Sequence, residues 1–262
     1  MFIFTSQKNK PLPKLIKNKN VMAATLEIRY DPHSIPPGVL IGALYNSTHF
    51  NKNYKMPVQT AIASIPSAIR QNDPNFASAI EFVLEDKKAH FQVGAGLGVL
   101  GLFVSNFSYT NWEETLAEFA KVLDVVNTYL PKEKQRIGVR FINFFPDKEL
   151  SQFLNIQFDI VKNSILSNDF NMTLENSIDD TTKMKLTLSN TARCVKINEQ
   201  NGTPETLNGF AIDIDIMSIG SFISIDSIKE TLDKNHIFVK QAFFGLFKQD
   251  YVKKHLQPDD EN

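Results

Sequence analysis

The chain predicts an α+β protein: antiparallel strands built from hairpins, with two long helices, at about residues 111–130 and 226–247, packed on them. Three observations predict it. Trp112, Leu116, Phe119, Leu123, Val126 and Leu130 recur at alternating spacings of four and three, which places them on one face of a helix. Ile137, Val139 and Phe141 alternate with Arg136, Gly138 and Arg140, and Phe210, Ile212, Ile214 and Ile216 alternate with Ala211, Asp213 and Asp215, the two-residue period of half-buried strands. Short alternating segments also come in pairs joined by polar turns, and the repeated strand-helix order that a parallel sheet requires is missing.

Taken in order, residues 1–20 carry Lys8, Lys10, Lys14, Lys17 and Lys19, with Pro11 and Pro13 blocking a helix, and read as a basic flexible arm. Residues 24–30 form a strand that Asp31-Pro-His-Ser-Ile-Pro-Pro-Gly ends. Val39, Leu40, Ala43 and Leu44 suit a short helix, followed by a polar, turn-prone stretch over 46–53. Residues 59–69 read as a strand interrupted by Pro66, and therefore at a sheet edge. Residues 79–84 and 89–93 flank Glu-Asp-Lys-Lys as a hairpin. Gly94-Ala-Gly-Leu-Gly98 reads as a turn that needs positive φ, because it leads into another strand, 99–107, and not into the helix that a phosphate loop would open.

Thr110 or Asn111 caps the first long helix, Glu113 and Glu114 occupy its first turn, and Pro131 stops it. A polar break at 146–149 then divides the chain into halves over 21–145 and 150–256, which together can still form one continuous domain. The second half offers a strand at 156–161, a hairpin of 170–177 with 183–191 that residues 193–198 extend, a turn at Asn201-Gly202, the alternating strand around Phe210 to Ile216, and the second long helix. A shorter helix runs to Leu256. The order of strands followed by a long helix thus occurs twice, as an internal duplication would leave it.

With 262 residues, 42% hydrophobic and 21 Phe among them, the chain can bury a substantial core without staples. A net charge of -1 gives no overall field for nucleic acid or an anionic membrane, so nucleic acid is expected only through residues 8–19 of the arm. The single cysteine, Cys194, rules out an intrachain disulfide and suits a reducing, cytoplasmic compartment. The longest apolar run, residues 93–104, is broken by glycines and too short for a membrane helix.

Chemistry-bearing residues are sparse. Arg136 and Arg140 share one strand face about 13 Å apart, and Asp213 and Asp215 share a face of another. If those strands are neighbours, the four form a cross-strand ion-pair cluster, or an anion pocket around the planar fork of Arg140. His236 lies three or four positions from Leu232, Val239 and Phe243 and so faces the protein. His49 reads as a surface histidine. No metal-ligand spacing, cofactor motif, nucleophile elbow or zinc helix is present, so neither metal nor cofactor is expected. Ile237, Phe238 and Phe244 lie off the core-facing stripe of their helix, which predicts self-association or a partner protein at that surface.

Phe107, Tyr109, Trp112 to Glu114 and Arg136-Ile-Gly-Val-Arg-Phe-Ile-Asn143 resemble the signature of a sporadically distributed prokaryotic family of proteins of this length that has no assigned function. Leu232-Asp-Lys-Asn-His236 with Phe243 is similar to that family's terminal helix. The resemblance spans roughly residues 14–255, is specific only in the central stretch, and carries over no catalytic residue. Val139 and Phe141 depart from it, standing where the pattern has Leu and Tyr. The sporadic distribution implies an accessory or defence system. Together these readings favour a non-enzymatic cytoplasmic binding protein that recognises a partner protein or a small ligand between sheet and helices. The alternative is an enzyme or nucleotide-responsive effector that gathers Arg136, Arg140, Asp213, Asp215 and His236 in one cleft.

Overall fold

The computed structural model describes residues 20–73, 76, 78–133, 135–146, 154–155, 169–197, 202–222 and 224–256. Among these residues nine strands join in one antiparallel sheet: β1 (Val21–Arg29), β2 (Val58–Gln59), β3 (Ile80–Glu85), β4 (Gln92–Gly96), β5 (Val99–Val104), β6 (Gln135–Phe145), β7 (Asn171–Ser177), β8 (Thr182–Ile197) and β9 (Pro204–Gly220). Their order across the sheet is β2-β3-β4-β5-β1-β6-β9-β8-β7. The meander β3-β4-β5 and the meander β7-β8-β9 are each followed in sequence by a helix, α4 (Trp112–Val126) and α5 (Ile225–Gly245). The first and second halves meet where Gln135 to Phe145 of β6 pairs with Phe210 to Gly220 of β9 along the whole length of β6. The sheet therefore runs without interruption from one half into the other.

Period-two patterning sorts the side chains. Ala24, Leu26 and Ile28 of β1, Ile137, Val139 and Phe141 of β6, and Phe210, Ile212, Ile214 and Ile216 of β9 all point to one face and are buried there. That face is covered by α5 over β6 and β9, by α4 beside it, and by α1 (Pro37–Asn46) over β3 and β4. On α4, Phe119, Val122, Leu123 and Val126 are fully buried, and Leu116 packs half-buried at the margin. Asn111 is its N-cap, the side chain accepting the Glu114 amide at 2.7 Å, while Thr110 hydrogen-bonds the Glu114 carboxylate. Among the described residues no helix is long and apolar enough to cross a membrane.

The elements depart from the sequence expectations in several places, α4 among them, which ends at Val126 rather than near residue 130. The helical layer is richer than two helices, because α1 brings Leu40, Ile41 and Leu44 into the core and α2 (Thr48–Asn53) adds Phe50. The strand expected over 59–69 is reduced to the two-residue β2, followed by a 3-10 turn at Ala61–Ser64 and α3 (Ser67–Asn72). Pro66 has no amide for a ladder, and it stands instead as the N-cap residue of α3, where that donor is not needed. Of the glycines at 94–98, Gly98 alone has positive φ, +63°, and makes the turn. Gly94 and Gly96 lie inside β4 for want of room: a Cβ on Gly94 would approach Ile80 to 2.8 Å and Phe103 to 2.9 Å, and one on Gly96 would strike the Ala79 carbonyl. The arm before Asn20, the boundary expected after Pro146 and the strand expected at 156–161 lie outside the described residues.

Candidate functional site on the polar face of the sheet

The face of the sheet opposite the helices is where the alternation sends the charged residues. Glu27 and Arg29 come from β1, Arg136 and Arg140 from β6, Asp213 and Asp215 from β9, Lys183 and Lys185 from β8, and Glu175 from β7. Register aligns Glu175, Lys185, Asp215 and Arg140 as successive cross-strand neighbours, a row of alternating charge over four strands.

Within this array the ion pairs are diagonal. Arg140 turns from its register partner Asp215 and grips Asp213 with both arms of its fork, Nε donating to Oδ1 at 2.9 Å and Nη2 to Oδ2 at 2.6 Å. Its side chain remains 48% exposed, so the pair reaches solvent. Arg29 and Arg136, which face each other across β1 and β6, share Glu27: Arg29 Nε and Arg136 Nη2 each donate to Oε1 at 2.7 Å. Gly138 makes the space for this. A Cβ there would sit 3.0 Å from Cγ of Glu27, which lies across the β6 backbone.

The electrostatics follow from that division of partners. Burial works against the charged form of Glu27, but the guanidinium groups of Arg29 and Arg136 outweigh it and hold its carboxyl below the usual range. The bidentate bond to Asp213 raises the pKa of Arg140. Asp215 has Arg140 and Arg136 nearby, yet both are committed to other carboxylates. Burial first, and then the neighbouring Glu27 charge, push Asp215 up to about 6 against the pull of the two arginines.

His236 is not part of this array. It lies on α5, on the other side of the sheet, with its ring stacked on Trp112 at 4.1 Å and tilted on Phe141 at 5.7 Å. Burial, with a smaller contribution from Lys240, lowers its pKa to about 3, so it is a neutral ring among aromatics. Arg136, Arg140, Asp213 and Asp215 thus share a face, and the sheet stands between them and His236. The three helix residues expected at an interface also separate. Ile237 is 49% exposed, Phe238 packs half-buried with Lys234 over its ring, and Phe244 is 8% exposed against Phe243 inside the same chain. Phe244 is therefore a core residue and not a surface one, its ring edge-on to Phe243 at 5.3 Å within the buried cluster.

Glu27, Arg29 and Gly138 were not among the residues that sequence reasoning selected, although the alternation of β1 already put Glu27 and Arg29 on a polar strand face. A second polar group was also hidden. Glu118 of α4, itself buried, accepts from His49 Nε2 and Tyr54 Oη at 2.8 Å each and from Lys121 at 2.7 Å. Burial opposes its ionisation, but these three donors hold its pKa below the usual value. His49 is thus tied into a helix-to-helix contact. Among the described residues no group of three or more His, Cys, Asp or Glu is arranged to hold a metal ion. Comparison of the chain with protein-family models, with curated proteins and with solved structures finds no match.

Proposed function

We propose that this chain is a non-enzymatic cytoplasmic binding protein that recognises a partner protein on the polar face of its sheet. The observation that carries the reading is the bidentate, solvent-reaching Arg140–Asp213 pair, set in a row of alternating charge. Such a row is a preorganised surface for a partner of complementary charge pattern, in which charges fix register and exclude wrong partners more than they add affinity. An enzyme on the five residues chosen from sequence would need them in one cleft, and His236 is across the sheet from the other four. The family resemblance around Trp112 and Arg136 to Asn143 is in keeping with a partner in an accessory or defence system, and the lone Cys194 suits a reducing compartment.

The test uses Lys185→Gln, which alters an exposed charge in the row without touching an arginine–carboxylate pair. The immobilised full chain is used to capture its partner, which is identified by mass spectrometry and titrated against both proteins. A loss of affinity of about tenfold, equivalent to about 1.4 kcal/mol, with an unchanged melting temperature is expected. Equal affinity of the two proteins for the captured partner removes the polar face as the recognition surface.

A further inference from the structure

The sheet has two edges, and they are finished differently. At one, β2 contributes only two residues, and the backbone beside it is closed by the Lys55 amide on the Glu85 carbonyl, the Thr60 amide on the Glu81 carbonyl and the Thr60 hydroxyl on the Ile80 carbonyl. At the other lies β7, seven residues without proline, without a bulge in its pairing to β8 and, among the described residues, without a strand on its outer side. The Phe170 carbonyl accepts from Asn190 and the Ile178 amide donates to Thr182, which makes the even-numbered residues of β7 the hydrogen-bonded partners of β8. The amides and carbonyls of Asn171, Thr173, Glu175 and Ser177 consequently point outward. A regular edge strand of this length, without proline or bulge, is a template for another strand.

We propose that this edge pairs with the same edge of a second copy of the chain, antiparallel about a twofold axis at Leu174, so that the two sheets become continuous. The proposal goes beyond the partner reading and does not depend on it. Its basis is the self-complementarity of β7. Centred on Leu174, Thr173 faces Glu175 of the second copy and Asn171 faces its Ser177, all four using their outward backbone groups, and no like charges meet. Centred on Glu175, two carboxylates would oppose each other across the axis. On the helix side, Phe170, Met172, Leu174 and Ile178 are only partly buried against the core. The added strand brings its own Met172 and Leu174 to that row, the alternating apolar residues needed to complete the burial.

Sedimentation equilibrium of the full chain at micromolar concentration is expected to show twice the monomer mass. Thr173→Pro removes an outward amide and leaves the β7–β8 ladder intact, at the loss of the 3.0 Å Thr173–Thr187 side-chain hydrogen bond. It should give a monomer with little change in melting temperature. Leu174→Cys, in a Cys194→Ser background, should cross-link to a covalent dimer under mild oxidation, because a directly opposed non-hydrogen-bonded pair has Cα atoms about 4.5 Å apart, within disulfide reach. Glu175→Cys in the same background should not. A wild-type monomer at all concentrations overturns the proposal, as does a dimer that survives Thr173→Pro without a Leu174→Cys cross-link, which would place the contact elsewhere, for example at Ile237. Should Thr173→Pro fail to fold, the cross-link alone decides.

Discussion

Asp215 and His236 sit on opposite faces of the sheet and respond to acid in opposite senses. The folded state raises Asp215 to about 6, so the stability it contributes is full below its ordinary value near 4 and is lost as the pH rises to about 6. The folded state lowers His236 to about 3, so its contribution is full above its ordinary value near 6.5 and is lost as the pH falls toward 3. Relative to wild type, Asp215→Asn should gain stability from pH 4 to 6, by about 2 kcal/mol in all, and stay level above. His236→Phe, which keeps a ring on Trp112, should gain it in the reverse direction, from pH 6.5 downward. Urea unfolding at a series of pH values reads both, and parallel curves for the variants and wild type would show these groups to be solvated. The Arg140–Asp213 pair calls for a different measurement. It is bidentate but nearly half exposed, so its coupling energy in a double-mutant cycle of Arg140→Ala with Asp213→Ala should be about 0.5 to 1 kcal/mol. Zero coupling would mean that solvent separates the two charges.

At the scale of elements, α4 shows how far local pattern carries. Its cap at Asn111 and its acidic first turn are present, since each depends on neighbours within a turn or two, while the helical stripe ends at Val126 and leaves Leu130 in the turn before Pro131. Phe119 is fully buried at its centre, and Phe119→Ala should cost about 3 to 5 kcal/mol, the lost burial together with the cavity left behind. A change of a few tenths in chemical denaturation would contradict the packing of α4. The second helix, α5, was legible in extent but not in partners. Ile237 stays exposed as its position on the helix predicts, whereas Phe244 is buried by the rest of the chain. For the glycines at 94–98, spacing suggested a turn, and only Gly98 serves that purpose. Gly94 and Gly96 answer to Phe103, Ile80 and Ala79, two of which come from neighbouring strands.

For the whole molecule, the decisive feature is the seam between β6 and β9. It joins two meanders into one sheet, places β1 between β5 and β6 although β1 opens the described chain, and leaves β7 at an outer edge. Helices α1, α4 and α5 then share one face, so the charged residues of five central and outer strands collect on the other. A polar face of this extent, and an edge strand that has no neighbour on its outer side among the described residues, are properties of the assembled sheet and not of any one motif.

By itself the sequence determined the antiparallel α+β class, the strands at β1, β3, β6, β8 and β9, the span of α5 and the side of each strand that carries charge. These follow from periods of two and three to four residues and from capping and turn chemistry, which act within a few positions of the chain. The tertiary structure alone decided that Arg140 takes Asp213 and leaves Asp215 to rise, that Glu27 lies over Gly138 between two arginines, and that His236 is cut off from all of them. Strand order and register make those choices. An alternating strand specifies which face its arginine occupies but carries no record of the strand that will lie beside it, and a single step in register would change every partner.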